Sequence, residues 1–172
     1  AGDGSDQVAS FLSLTTQVNR ADLTAGRMPQ TAGECLADAD AFTEADLGTT
    51  LTLSDANDQD TLDAFSGRQF TIVGLAVSPL YLNYERGSTS LGNGTVSCFV
   101  YLPREAFSAD YYTELYVRLG RTAPLYSEAY DALTDQYEPQ LESLLNLRAD
   151  LRYQTLYNDA RTELDDGWAE LE

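Results

Sequence analysis

The side chains best equipped for chemistry in this chain are carboxylates, hydroxyls and tyrosines. What is missing beside them limits what they can do. The 172 residues include no histidine and no lysine, and all ten cationic side chains are arginine. Ser78, Ser88, Ser90 and Ser97 therefore have no imidazole or amine to take up a proton, which excludes Ser–His and Ser–Lys nucleophilic catalysis. Asp55-Ala56-Asn57-Asp58-Gln59-Asp60 is spaced like the start of a calcium loop. It lacks the glycine of the sixth position and carries Ser66 where a closing glutamate belongs, so it reads as a solvated acidic turn. Residues 87–94 are glycine-rich but have no Gly-Lys-Ser/Thr ending, so they are not a phosphate-gripping loop. Glu85 and Glu114 are flanked by aromatic residues and keep a carboxylate-dependent hydrolase among the readings, although no spacing assigns one as acid and the other as base. The expectation is a protein that is not an enzyme, with no cofactor and no bound metal.

Tyrosines form the second group. Tyr81, Tyr84, Tyr111, Tyr112 and Tyr116 cluster around the glycine-rich stretch and the segment that follows it. A rigid apolar ring with a polar tip suits an interface. The candidate interaction surface is Tyr81, Tyr84, Glu85, Arg86, Leu91, Asn93, Tyr111 and Tyr112; the plainer alternative is that the rings fill the edge of a small core. Asn93-Gly94-Thr95 matches a glycosylation acceptor, which matters only in a eukaryotic secretory setting.

The elements that must position these residues centre on 69–103. Residues 70–77 and 96–102 are continuous apolar runs that read as buried strands. Between them, Ser78-Pro79 interrupts regular pairing, and Asn93-Gly94 is a turn signal. A long excursion between two core strands reads as a presented surface. Residues 8–16 read as a strand or a short helix, 23–33 as irregular, and 34–37 as a short strand. Residues 39–47 read as one or two helical turns ending at Gly48, and 49–53 as a strand with its leucines inward. Residues 104–109 should form a helical turn and 111–119 a last strand. The end at 1–6 is polar and expected to be mobile.

The pattern changes after Leu125. Tyr137, Leu141, Leu144, Leu147 and Leu151 recur at spacings of three and four. Tyr157, Leu164, Trp168 and Leu171 resume the stripe as a candidate stem seam. The helix either folds back on the β-rich part or forms a stem that needs a partner helix. The expected fold class is α+β: a mixed β-sheet core with short helices over 1–125, then a long C-terminal helical stem, or the start of a coiled-coil arm, over 126–172.

Composition supports one ordinary domain, or one with an appendage. Hydrophobic residues make up 43% of the chain, and 28 acidic against 10 basic side chains give a net charge of -18. That surface repels phosphate backbones, so no nucleic-acid partner is expected; it also suits high salt. No apolar run approaches the about 18 residues of a spanning helix. Cys35 and Cys98 both fall in candidate strands, where buried unpaired thiols compete with a single disulfide.

Gly26-Arg27-Met28-Pro29, then Gly33-Glu34 and Leu47-Gly48-Thr49, resemble a pattern in the external domains of FtsX/MacB-like ABC transporter permeases. Phe70-Thr71-Ile72-Val73-Gly74 resembles their next core strand. Ser78-Pro79-Leu80-Tyr81, Glu85-Arg86-Gly87 and Leu91-Gly92-Asn93-Gly94 are similar to a branch of large permeases in Gram-positive bacteria. So are Phe107, Tyr111-Tyr112-Thr113-Glu114 and the helix through Arg148, Arg152 and Tyr153. The resemblance covers residues 19–168. It implies a non-catalytic domain at the extracellular face of the cell membrane, as part of a multi-pass membrane protein. The implied partners are a second permease half and a cytoplasmic ATPase subunit, and the implied role is coupling ATP-driven motion to an exported substrate or an external partner. On this reading the chain is an excised piece whose helix ends where a coiled arm would continue. A free-standing extracellular binding or adhesion module is the alternative.

Overall fold

The computed structural model describes residues 7–169. The polar end expected at 1–6 lies outside the described residues, as does Leu171. The chain divides into two compact units, Ala1–Arg118 and Leu119–Glu172.

The first unit is built on a six-stranded mixed sheet. Its strands are β1 (Ala9–Ser13), β2 (Asp22–Gly26), β3 (Glu34–Asp38), β4 (Thr50–Thr52), β5 (Gln69–Val77) and β6 (Cys98–Leu102). Their spatial order is β1-β6-β3-β5-β2, and β4 also pairs with β5. β1 runs parallel to β6 and β3 parallel to β5; the β3–β6, β2–β5 and β4–β5 pairs are antiparallel. Composition accounts for this order. β6 is apolar at every position and β3 is apolar between its terminal Glu34 and Asp38, and both take interior places, β6 being buried throughout. Alternation then sends Cys35, Ala37, Phe70, Ile72, Val100 and Leu102 into one core layer. Leu36, Ala76, Phe99 and Tyr101 form the other. Phe11, Phe65, Phe70 and Phe107 close the first layer through ring contacts at centroid separations of 5.1 to 6.1 Å.

Single turns of 3₁₀ helix occur at Glu44–Asp46 and Arg104–Ala106, and a short helix, α1, at Gln59–Asp63. Asp58 caps α1, its carboxylate accepting the Thr61 N–H at 2.7 Å. The acidic turn thus uses its carboxylates on its own backbone and on Arg68, which reaches Asp55 at 3.2 Å. Among the described residues no three His, Cys, Asp or Glu side chains are grouped to hold a metal ion.

Two stretches differ from expectation. Residues 22–26, which take in the start of the 23–33 stretch expected to be irregular, form β2 on the edge of the sheet. A bulge between Leu23 and Ala25 and the left-handed Gly26 (φ 74°) disguise the strand in sequence. Gly26 is required there, because a Cβ would stand 2.3 Å from the Val73 carbonyl oxygen. Conversely, 111–119 alternates like a strand and is not one. Strand propensity reflects fit to a pleated, half-buried surface, and here Tyr111, Tyr112, Leu115, Tyr116 and Val117 stay exposed. Local polar contacts hold the segment instead: Arg104 Nη2 donates to the Tyr112 hydroxyl at 3.2 Å, and Tyr116 donates to Glu114.

The second unit contains α2 (Glu128–Ala169), a 42-residue helix with no buried residue, about 63 Å long at 1.5 Å per residue. The Ser127 hydroxyl accepts the Tyr130 N–H at 3.2 Å at its start. The α+β architecture with a long C-terminal helix is as the sequence indicates. The expected membrane placement is corrected. No helix among the described residues is long and apolar enough to cross a membrane. α2 has the length, but carboxylates and arginines recur along it, and each is costly in hydrocarbon. These residues supply no span of a multi-pass permease at a cell surface.

Candidate functional site

The excursion between β5 and β6 begins where Pro79 ends the ladder. Ser78 is buried, and its hydroxyl pairs with the Tyr101 hydroxyl at 2.7 Å. That contact turns the chain across the second core layer and brings the Tyr81 ring onto Phe99, stacked at 5.3 Å with 6° between planes. Arg86 then returns into the fold and is only 7% exposed. Its Nε donates to Asp38 Oδ2 at 2.5 Å and its Nη2 to Asp38 Oδ1 at 3.0 Å. Nη2 also reaches Asp40 at 2.6 Å, and Nη1 donates to the Asn83 carbonyl at 2.5 Å. The guanidinium lies 5.2 Å from the centre of the Tyr81 ring and 5.4 Å from that of Phe99. Hydrogen bonding to Asp38 raises its pKa further above the ordinary arginine value. Every nitrogen of the group is engaged, so it works as an anchor.

Beyond Arg86 the chain forms a narrow finger. Val96 N–H bonds to the Gly87 carbonyl at 3.0 Å, Thr89 N–H to Gly94 at 3.1 Å, and Gly94 N–H to Leu91 at 3.0 Å. Asn93 caps the tip by accepting the Thr95 N–H at 3.1 Å. The sequence places a left-handed residue at this turn, and Gly94 (φ 85°) is one, joined by Gly92 (φ 55°).

The expected surface residues therefore separate by role. Tyr81 is half-buried and Arg86 buried, and both hold the excursion down, while Tyr84, Glu85, Leu91 and Asn93 are exposed on it. Tyr84 is 87% exposed and its neighbour Leu82 96%. Tyr111 and Tyr112 are exposed on the later segment. There they line a groove of about 420 Å³ together with Phe11, Leu12, Tyr101 and Phe107. Glu114 is on the same wall and accepts the Tyr116 hydroxyl; that bond holds the phenol up at about 12. Along α2, Tyr157, Leu164 and Trp168 are exposed. Cys35 and Cys98 are free and buried, and burial pushes their thiols up to about 12 and about 11, so neither is a ready nucleophile.

The residues sequence reasoning missed are Asp38 and Asp40. The available signal was one of only ten cations standing inside a glycine-rich excursion, since a buried arginine needs a carboxylate partner.

Compared with known families, curated proteins and solved structures, the chain matches none of them. Within the fold, the motif residues noted above meet beside β5. Arg27 grips Glu34 through two hydrogen bonds, at 2.9 and 2.5 Å. The Gly48 N–H (φ 85°) bonds to Ile72 at 2.8 Å. A Cβ on Gly74 would stand 2.5 Å from the Arg27 carbonyl oxygen. Their spacing thus has a structural explanation in this chain's own packing.

Proposed function

We propose that this chain is a non-catalytic interaction domain, a folded β-sheet head that presents the 78–97 excursion to a partner. The observation that carries the reading is the Arg86 anchor. A buried arginine locked by two carboxylates and two rings fixes the base of a segment whose outer side chains, Leu82, Tyr84 and Leu91, make little contact with their own fold. A backbone tied down at its base has less freedom to lose on docking than a free loop, which favours association. The finer form of the proposal is the role the FtsX/MacB-like motifs imply: coupling ATP-driven motion of an associated ATPase subunit to an exported substrate or an external partner. It rests on those motifs alone.

The test is site-specific crosslinking in the native cell, with a photoreactive residue in place of Tyr84. A discrete adduct that disappears in a Leu91→Asp background supports the reading. Adducts no different from those formed at exposed position 105 overturn it. Dependence of the adduct on ATP turnover would support the coupling role, and indifference to ATP would leave a binding module.

A further inference from the structure

β1 is the last strand on one side of the sheet, and β6 is its only strand partner among the described residues. The two edges of the sheet are built differently. On the far side, which β2 shares with the three-residue β4, β2 carries an aspartate, a bulge and a left-handed glycine, all devices that discourage a further strand. β1, Ala-Ser-Phe-Leu-Ser, has no charge, no proline and no break in register. Its ladder can be read residue by residue. The Val8 carbonyl accepts Ser97 N–H at 2.8 Å and Leu14 N–H donates to Leu102 at 2.9 Å. Alternate residues of a strand face opposite neighbours. The N–H and C=O groups of Ala9, Phe11 and Ser13 therefore point away from β6, to the side where no strand lies among the described residues.

The 420 Å³ groove takes in the Phe11–Ser13 end of this strand. Its lining includes Phe11 and Phe107, which pack with one core layer, and Leu12 and Tyr101, which belong to the other. The groove therefore opens where both core layers come to the surface at the Phe11–Ser13 end of β1. Its lining also includes Tyr112 and Tyr116, from the segment that alternates like a strand and forms none.

We propose that this edge binds an extended peptide strand, which pairs with the outward backbone groups of β1 and sets alternate apolar side chains against Phe11, Tyr112 and Tyr116. The peptide is flanked by basic residues, since the unit that carries β1, with sixteen acidic side chains, six arginines and no lysine over residues 1–118, attracts cationic segments and repels acidic ones. Strand addition to an open sheet edge takes its affinity from main-chain bonds and its selectivity from alternate side chains. The inference names a partner chemistry within the interaction-domain reading and rests on it. It concerns a different surface, so crosslinking at position 84 stands or falls separately.

The probe is a short peptide of alternating valine and threonine with paired lysines at its ends, titrated into the protein by calorimetry. The expected results are saturable binding tighter than about 1 mM and slowed amide exchange at Phe11 and Ser13. N-methylation of alternate peptide amides should lose about tenfold in affinity in one register and little in the other. Tyr112→Ala, an exposed substitution that leaves the core intact, should weaken binding without moving the urea midpoint. Absence of saturable binding, or indifference to N-methylation in both registers, would overturn the proposal. Protection of the same amides that grows with protein concentration without peptide would overturn it in favour of a second copy at this edge.

Discussion

Arg86 shows how one side chain can set the geometry of a surface without belonging to it. Its side chain and that of Asp38 are 4% and 1% exposed. Arg86→Met would leave the Asp38 carboxylate buried without its cation, a loss of about 3–5 kcal/mol. Urea unfolding should show a lower midpoint, with Arg86→Lys recovering only part because an ammonium cannot make the fork contact. A change below about 1 kcal/mol, the size of a surface pair, would show that the pair is not holding the loop. Glu34 offers a test by pH. The hydrogen bond from Arg27 holds its carboxyl down at about 2, against an ordinary 4.5. The folded state therefore binds fewer protons than the unfolded state between those values. The contribution is fully present above the unfolded value and is lost as pH falls through about 2. Hydrogen bonds from Thr43 and Thr61 also lower Asp46 and Asp58, so the difference between wild type and Glu34→Gln is the quantity to follow. The stability gap measured in urea should narrow from about pH 5 downward; a constant gap would mean that the pair contributes nothing.

Among the elements, α2 is the one whose stability has least to do with burial, since none of its residues is buried. Its stripe of Leu144, Leu151, Leu164 and Trp168 is exposed, and residues 126–172 carry twelve acidic and three basic side chains. A helix in that condition depends on its backbone bonds and local pairs such as Arg161–Asp165, at 3.9 Å. Pro139 lies inside it and can give no N–H to the carbonyl of Asp135. Pro139→Ala should therefore stabilise the helix by about 3 kcal/mol, with slower amide exchange through the surrounding turns. Unchanged exchange on both sides of position 139 would show that the helix is already broken there in solution.

For the whole molecule, the net charge of -18 is the main long-range force. Like charges oppose the compact state, and the Debye length falls from about 30 Å at 0.01 M salt to about 3 Å at 1 M. Sodium chloride should raise the urea midpoint over that range. A midpoint that stays level or drops would show that self-repulsion is offset by surface ion pairs such as Arg27–Glu34, which salt weakens.

Several features were legible from sequence because their cause is local. The apolar runs of β3, β5 and β6, the helical period of α2, the left-handed Gly94 and the burial of both cysteines follow from the nearest few residues. Their periodicity or steric freedom is the same in any fold that contains them. β2 was hidden because its evidence is a contact: Gly26 is needed only where Val73 lies against it. The segment 111–119 misled for the opposite reason, since alternation describes a strand's face and says nothing of whether an edge will pair with it. Arg86 and Asp38 stand 48 residues apart, and no rule of spacing joins them. They meet because β6 lies beside β3, so that the Asp38 end of β3 adjoins the excursion that leads into β6. Local chemistry therefore determined the central strands β3, β5 and β6 and the long helix. The order of strands, a global packing decision, determined which charge is buried, which rings present themselves and which edge is left open.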